Sequence, residues 1–498
     1  MVFMDYDGNQ TYFMVGGFGS NVSNNHEAVK IKNFIEENYK YLDDEVEKMK
    51  GRPAYRKTSL LSVMFYAEYD GIDSLKKISE YCEANKYYNY LTNGYVPSER
   101  TLQRFMHDYG EIYNEIKNKI VLTAEEEGYT SFNHIMIDGT IMNGNNNKYN
   151  VIKQKDIDEL FKILSKIHTK TEIESFKDDL SRTAYKILIN EIMTRDEKLE
   201  YLKHLENQLK KSGQSSIGLN DYDARWMHNK KGLKDICYNM QSAVDYDSKM
   251  IVSWDIVQDP TDHHQLPHQL DLIKETIGRN PDKISADTGY HTDESLLKLH
   301  EEGIDGYIPT RKQAKAQSHR LSTNPYHKDN FKYSFETDSF ICPEGQELLL
   351  KGEYKVKSKD TDYPDKIKRV YYNKDCYNCE LKDKCTKSNV RVITDYGDTL
   401  KKSMERKMET KEGKEEYSKR KVVEAPFGVL KKEKGLDCLP VTGIDQVKNR
   451  VSLKVCVYNW KRLEKLRNGE ADNPDSFRIF CNHLKRRYPF LKFRVTVV

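Results

Sequence analysis

No stretch of the chain is apolar enough to span a bilayer: charged residues make up 32% of the 498 positions and mean hydropathy is −0.82. The first residues, Met1 to Ser20, hold no basic segment followed by an apolar one, so a secretory leader is not expected and a cytoplasmic location is. A surplus of one charge sign is also missing. The 81 Lys and Arg against 78 Asp and Glu leave only +3, so any polyanionic partner has to be recognised by local charge rather than by the field of the whole molecule. Nine scattered cysteines, an odd number, do not describe a disulfide framework. These absences exclude membrane-spanning and disulfide-stapled classes. What remains is a chain long enough for roughly two to four units with helices that carry long polar faces.

The most informative stretch runs from Tyr417 to Lys431. At 100° per residue, Tyr417, Arg420, Glu424 and Lys431 project at about 0°, 300°, 340° and 320° on a helix, so four polar groups share one narrow stripe. A carboxylate suits a metal ion, and a phenol with two cations suits a phosphate. The alternative is an amphipathic helix that simply buries Val422, Val423 and Phe427. Pro426 removes a backbone donor, so Tyr417 to Glu424 is expected as one helix and the projection of Lys431 depends on what Pro426 does.

Taken in order, the chain suggests an N-terminal arm and acidic helix over 1–50, the helix spanning about Ala28 to Lys50. A helical domain over 51–130 follows, with helices Thr58 to Tyr69 and Asp73 to Asn85, the latter opened by Asp73 as N-cap, and one long helix from Ser98. Arg100 and Arg104 share a face near the start of that long helix, where a helix-turn-helix presents side chains to DNA; a plain helical bundle is the alternative. Phe132 to Thr140 reads as a short strand that stops at Asp138 and a glycine turn, and Lys283 to Ala286 as another that stops at Asp287. A charged helical insertion, about 151–215, separates the first of these from strands at Cys237–Ala243 and Met250–Ile256. Helices are expected at Gln265–Ile277 and Asp293–Glu302.

Arg311 to Lys332 is a basic run suited to tracking phosphates, or else an ordinary basic loop. It opens a cysteine-bearing insertion, about 310–400, in a ribbon of strands. Cys342, Cys376, Cys379 and Cys385 could supply four thiolates to a structural Zn²⁺, with free thiols as the rival reading. Cys82, Cys237, Cys438, Cys456 and Cys481 read as isolated core residues. A striped helix at Val447–Trp460 closes the last domain, 131–460, and a basic tail fills 461–498.

Asp138, Asp287 and Glu424, far apart in sequence, form a three-carboxylate set able to hold two Mg²⁺ or Mn²⁺ ions, which is the chemistry of phosphoryl transfer. Structural ion pairs are the alternative for each aspartate taken singly. These residues resemble a known family. Tyr417, Arg420, Glu424 and Lys431 match the Tyr-x2-Arg-x3-Glu-x6-Lys signature of bacterial insertion-sequence transposases of the DDE type. Asp138 in Ile-Asp-Gly-Thr and Asp287 in Ala-Asp-Thr-Gly-Tyr resemble the group's first and second aspartates. Thr288 and Ala425 depart from residues common in the family, and neither removes a catalytic group.

The resemblance implies an α/β, RNase H-like mixed sheet flanked by helices, behind an all-α DNA-binding domain. It implies a Mg²⁺- or Mn²⁺-dependent enzyme that binds terminal inverted repeats, hydrolyses strands at the element ends and joins 3′ hydroxyls to target DNA. Asp138, Asp287 and Glu424 would hold the metals, and Tyr417, Arg420 and Lys431 would grip phosphates or a flipped base. A dimer in the synaptic complex, no membrane partner and association with the nucleoid follow. The alternative from another class is a non-catalytic DNA-binding or regulatory protein derived from such an element.

Overall fold

The computed structural model describes residues 22–44, 54–166, 168–229, 232–317, 324–334, 336–357, 366–396, 399–432 and 435–469. The N-terminal arm up to residue 21, Arg320 of the basic run and the tail from 470, with Cys481, lie outside the described residues. The chain divides into two compact units. One comprises Met1–Ser131, Gly139–Pro260 and Val423–Val498; the other comprises Phe132–Asp138 and Thr261–Val422.

In the first unit, helices Glu27–Tyr39, Lys57–Asp70, Leu75–Ala84, Lys86–Leu91, Glu99–Tyr109 and Ile112–Glu126 share a core with the C-terminal helix Ile444–Arg467. Trp460 sits at its centre, with the rings of Phe34 and Phe65 edge-on at 5.2 and 5.9 Å. Three expectations need correction here. The acidic helix ends at Tyr39, and a short turn of helix follows at Tyr41–Asp44. The helix at Leu75 is capped by Ser74, whose hydroxyl accepts from Lys77 N, and not by Asp73. The long helix from Ser98 is two helices that part at Gly110, where a Cβ would lie 2.3 Å from the Asn449 side chain; Asn449 Nδ2 in turn donates to Met106 O at 3.1 Å. The break makes room for the C-terminal helix.

The insertion is four helices, Gln154–Leu164, Lys170–Ser175, Arg182–Leu188 and Arg195–Ser212, around its own core of Ile157, Leu160, Leu188, Leu202, Leu205 and Leu209. Its ends are pinned by antiparallel pairing of Val151–Lys153 with Ser216–Gly218.

The main strands are β1 (His134–Asn143), β2 (Arg225–His228), β3 (Lys234–Asp245), β4 (Ile251–Val257), β5 (Lys283–Ala286) and β6 (Asp305–Tyr307). In the first unit β3 pairs antiparallel with β2 and β4. In the second unit the first half of β1 pairs in parallel with β5, and β5 in parallel with β6. The fold is therefore mixed α/β, with parallel and antiparallel strand pairs flanked by helices, and is compatible with the RNase H-like expectation. Helix Gln265–Ile277 falls on its expected bounds, and Asp293–Glu301 within one residue of them. The cysteine-bearing insertion is a five-stranded antiparallel ribbon over a small core of Phe331, Leu348, Tyr371 and Ile393.

Candidate active site

Asp138 and Asp287 are brought together by strand register. β1 and β5 run parallel with Ile135 opposite Ile284 and Ile137 opposite Ala286, so Asp138 and Asp287 each come one step later on neighbouring strands. Strands in a sheet lie about 4.8 Å apart and side chains alternate between faces, so the two carboxylates share one face at one level. The expected end of the first strand is corrected: β1 does not stop at Asp138 but continues through Gly139 and Thr140 to Asn143. Asp287 does end its strand. It caps the 3₁₀ turn Thr288–Tyr290, its Oδ1 accepting from Gly289 N at 2.6 Å. A Cβ on residue 289 would stand 2.9 Å from that oxygen and 3.3 Å from Asp262 Cβ, which is why glycine is there. Burial pushes the Asp287 carboxyl above the ordinary range, against the Gly289 N–H and Arg420, with Asp262 adding to the push.

Arg420 supplies the opposing charge. Its Nη1 lies 3.2 Å from Asp138 Oδ2, and its guanidinium carbon is 5.8 Å from the centroid of the Tyr417 ring. Burial works against the guanidinium, but Asp138, Tyr417 and Asp287 more than offset it and hold Arg420 above its usual range. Burial also raises the Tyr417 phenol, with Arg420 opposing, so Tyr417 stays a hydrogen-bond donor at neutral pH.

The single helix expected from Tyr417 to Glu424 is not found. Helix Lys411–Ser418 gives way to a 3₁₀ segment, Lys419–Val423, and a new helix starts at Glu424 and runs to Lys432. The five-residue 3₁₀ segment turns about 20° more per residue than an α-helix, so residues beyond it are rotated by roughly 100° from the projected stripe. Pro426 causes no break. It lies in the first turn of the new helix, where backbone N–H groups have no intrahelical partner to lose. Glu424 is exposed. Lys431, two turns on, donates to Ile141 O at 2.8 Å and pairs with Asp437 at 2.9 Å, so its ammonium is engaged by the protein itself.

Arg100 and Arg104 are both exposed on Glu99–Tyr109, the helix whose buried side is Leu102, Phe105 and Met106. In the basic run, Lys315 lies 3.6 Å from Asp329. Cys342, Cys376, Cys379 and Cys385 line one cavity with Phe331, Leu348 and Arg391. Cys342 Sγ accepts from Gln346 N at 3.3 Å, and burial raises the Cys385 thiol. Among the described residues no three His, Cys, Asp or Glu side chains stand close enough to hold a metal ion together, so neither the expected zinc set nor the expected set of Asp138, Asp287 and Glu424 gains geometric support. By donor chemistry the hard carboxylate oxygens of Asp138 and Asp287 do suit Mg²⁺ or Mn²⁺. Cys82, Cys237 and Cys456 are buried as expected; Cys438 is exposed, a correction.

Sequence reading passed over His134, Ser285 and Glu416. His134 Nε2 is 2.9 Å from Ser285 Oγ and its Nδ1 is 3.2 Å from Glu416 Oε2. The available signal was parity: His134 precedes Asp138, and Ser285 precedes Asp287, by even numbers of residues, so each shares a face with its aspartate.

A family model described as Transposase DDE domain matches residues 341–464, and one described as Transposase domain (DUF772) matches residues 18–108. The first match includes Tyr417, Arg420, Glu424, Lys431 and the four clustered cysteines, and leaves Asp138 and Asp287 outside it. No curated protein matches the chain. Among the described residues no helix is long and apolar enough to cross a membrane.

Proposed function

Because this chain belongs to the insertion-sequence transposases of the DDE type, we propose that it binds the terminal inverted repeats of its element, hydrolyses DNA strands at the ends and joins the freed 3′ hydroxyls to target DNA. The observation that carries the proposal is the parallel register of β1 and β5, which sets Asp138 beside Asp287 on one face with Arg420 against Asp138.

Asp138 and Asp287 act as oxygen donors to divalent metal, with Glu424 as the third carboxylate. When bound, the ions supply Lewis-acid activation of the attacking oxygen and stabilisation of the leaving one. Arg420 neutralises the paired carboxylates and presents N–H groups in a fork that matches phosphate oxygens. Tyr417, kept protonated by burial, donates to the same anion. Preorganised donors of this kind typically contribute about 10²–10³ in rate. Arg100 and Arg104, exposed on one helix, bind the repeat DNA, and two chains act on two ends.

The test uses labelled end fragments in Mg²⁺, Mn²⁺ and chelator. Asp287→Ala is expected to bind terminal-repeat DNA as the wild type does and not to cut it. Unchanged cleavage by that variant would sink the assignment.

A further inference from the structure

We propose that Glu416 is a positioning residue, docking the helix Lys411–Ser418 on strands β1 and β5 and so setting where Tyr417 and Arg420 meet Asp138. The inference rests on the reading of the Asp138–Asp287 face as the active site.

Alternation along the two strands puts His134 and Asp138, and Lys283, Ser285 and Asp287, on one face. Glu416 reads the far end of that face and Arg420 the near end. Glu416 Oε2 is 3.2 Å from His134 Nδ1 and 3.4 Å from Lys283 Nζ, while Oε1 is 2.8 Å from Lys419 Nζ. Its side chain is only 13% exposed. Four residues on, Arg420 is at Asp138. The two anchors carry opposite charge and meet opposite charge. Sliding the helix by one turn would bring Arg420 toward Lys283 and Glu416 away from its partners, so the pair fixes register as well as attachment.

Ser285, His134 and Glu416 also have the order of a hydroxyl, imidazole and carboxylate relay. Ser285 is wholly buried, however, so no substrate reaches its oxygen, and His134 Nδ1 and Glu416 Oε2 meet in a close contact and not in the hydrogen bond that a relay needs. Burial also holds His134 neutral, which leaves Lys283 and Lys419 as the cations that balance Glu416.

The test is Glu416→Ala in the full chain, read two ways. Amide hydrogen exchange over residues 411–420 should accelerate at least about tenfold while the helix Ile444–Arg467 keeps wild-type exchange. Cleavage of end fragments at saturating DNA should fall about tenfold or more with affinity for the fragment unchanged, because a misplaced Arg420 loses the chemical step and not the binding. Glu416→Gln, which keeps the length of the side chain but removes the charge that faces Lys283 and Lys419, should fall between wild type and Glu416→Ala in both readouts. Unchanged exchange at 411–420 overturns the docking. Faster exchange with unchanged cleavage overturns the positioning role, and a rise shared equally by Ile444–Arg467 reduces Glu416 to a general stabiliser. A wild-type chain that cuts no end fragment refutes the functional reading instead, and the exchange measurement still decides the docking.

Discussion

Arg420→Ala should loosen the β1–β5 pair in the absence of divalent metal, and the size of the effect follows from the geometry. With Nη1 3.2 Å from Asp138 Oδ2, the charge centres are about 4 Å apart, worth about 4 kcal/mol at an effective dielectric of 20. The two side chains are 21% and 20% exposed, so water screens part of this and about 2 kcal/mol is the expected net loss. The substitution also removes the guanidinium that offsets the approach of Asp138 and Asp287 across one strand spacing. Because the chain divides into two compact units, a single melting curve is a poor readout. Hydrogen exchange of the amides of Ile135–Ile137 and Ile284–Ala286 in chelator is the better assay, and protection should fall about 30-fold. Mg²⁺ should return much of that protection, since an ion bound by the carboxylates restores the missing charge. Asp138→Asn should make the loss of Arg420 much less costly, because the partner charge has already gone. Wild-type protection in Arg420→Ala, or strictly additive losses in the double variant, would refute the reasoning.

Gly289→Ala would force a Cβ to 2.9 Å from Asp287 Oδ1 and 3.3 Å from Asp262 Cβ; moving the carboxylate should cost about 1–3 kcal/mol in local stability and at least about tenfold in cleavage, measured by hydrogen exchange and on end fragments. Burial pushes His291 down to about 4, with Lys401 adding to the push, from 6.5. A histidine whose folded pKa is depressed gives stability that is complete above about pH 6.5 and lost as pH falls toward 4. The loss should reach roughly 3 kcal/mol. Urea titrations across that range should show a slope that His291→Gln reduces, with buried His134 supplying a further part, and an unchanged slope would exclude His291 as a source.

How much of this was legible in sequence depends on the reach of each signal. Asp287 was readable because an apolar run followed by Asp-Thr-Gly reports a strand end locally, and the strand does end at Ala286. Asp138 was found by similar reasoning that misjudged the strand, since Gly139 is tolerated inside β1. That the two aspartates are neighbours was not readable from pattern, because register between β1 and β5 is set by pairing across about 150 residues of sequence. The resemblance implied their partnership; the parallel pairing gives it a physical basis.

Tyr417 to Lys431 shows the same limit in another form. A helical projection assumes one rotation per residue throughout, and the 3₁₀ turn at Lys419–Val423 breaks that assumption before Pro426, the residue that drew suspicion, is reached. Pro426 is harmless because position within a helix, and not presence, decides what a proline costs. Lys431 illustrates that residue type at the right spacing says nothing of local partners: its ammonium contacts Ile141 O and Asp437. Glu416 is the converse, a residue outside the signature whose partners lie on β1 and β5. Both judgements need the register of the strands, because only register turns the parity of His134 with Asp138 and of Lys283 with Asp287 into one continuous face that a helix can read from end to end.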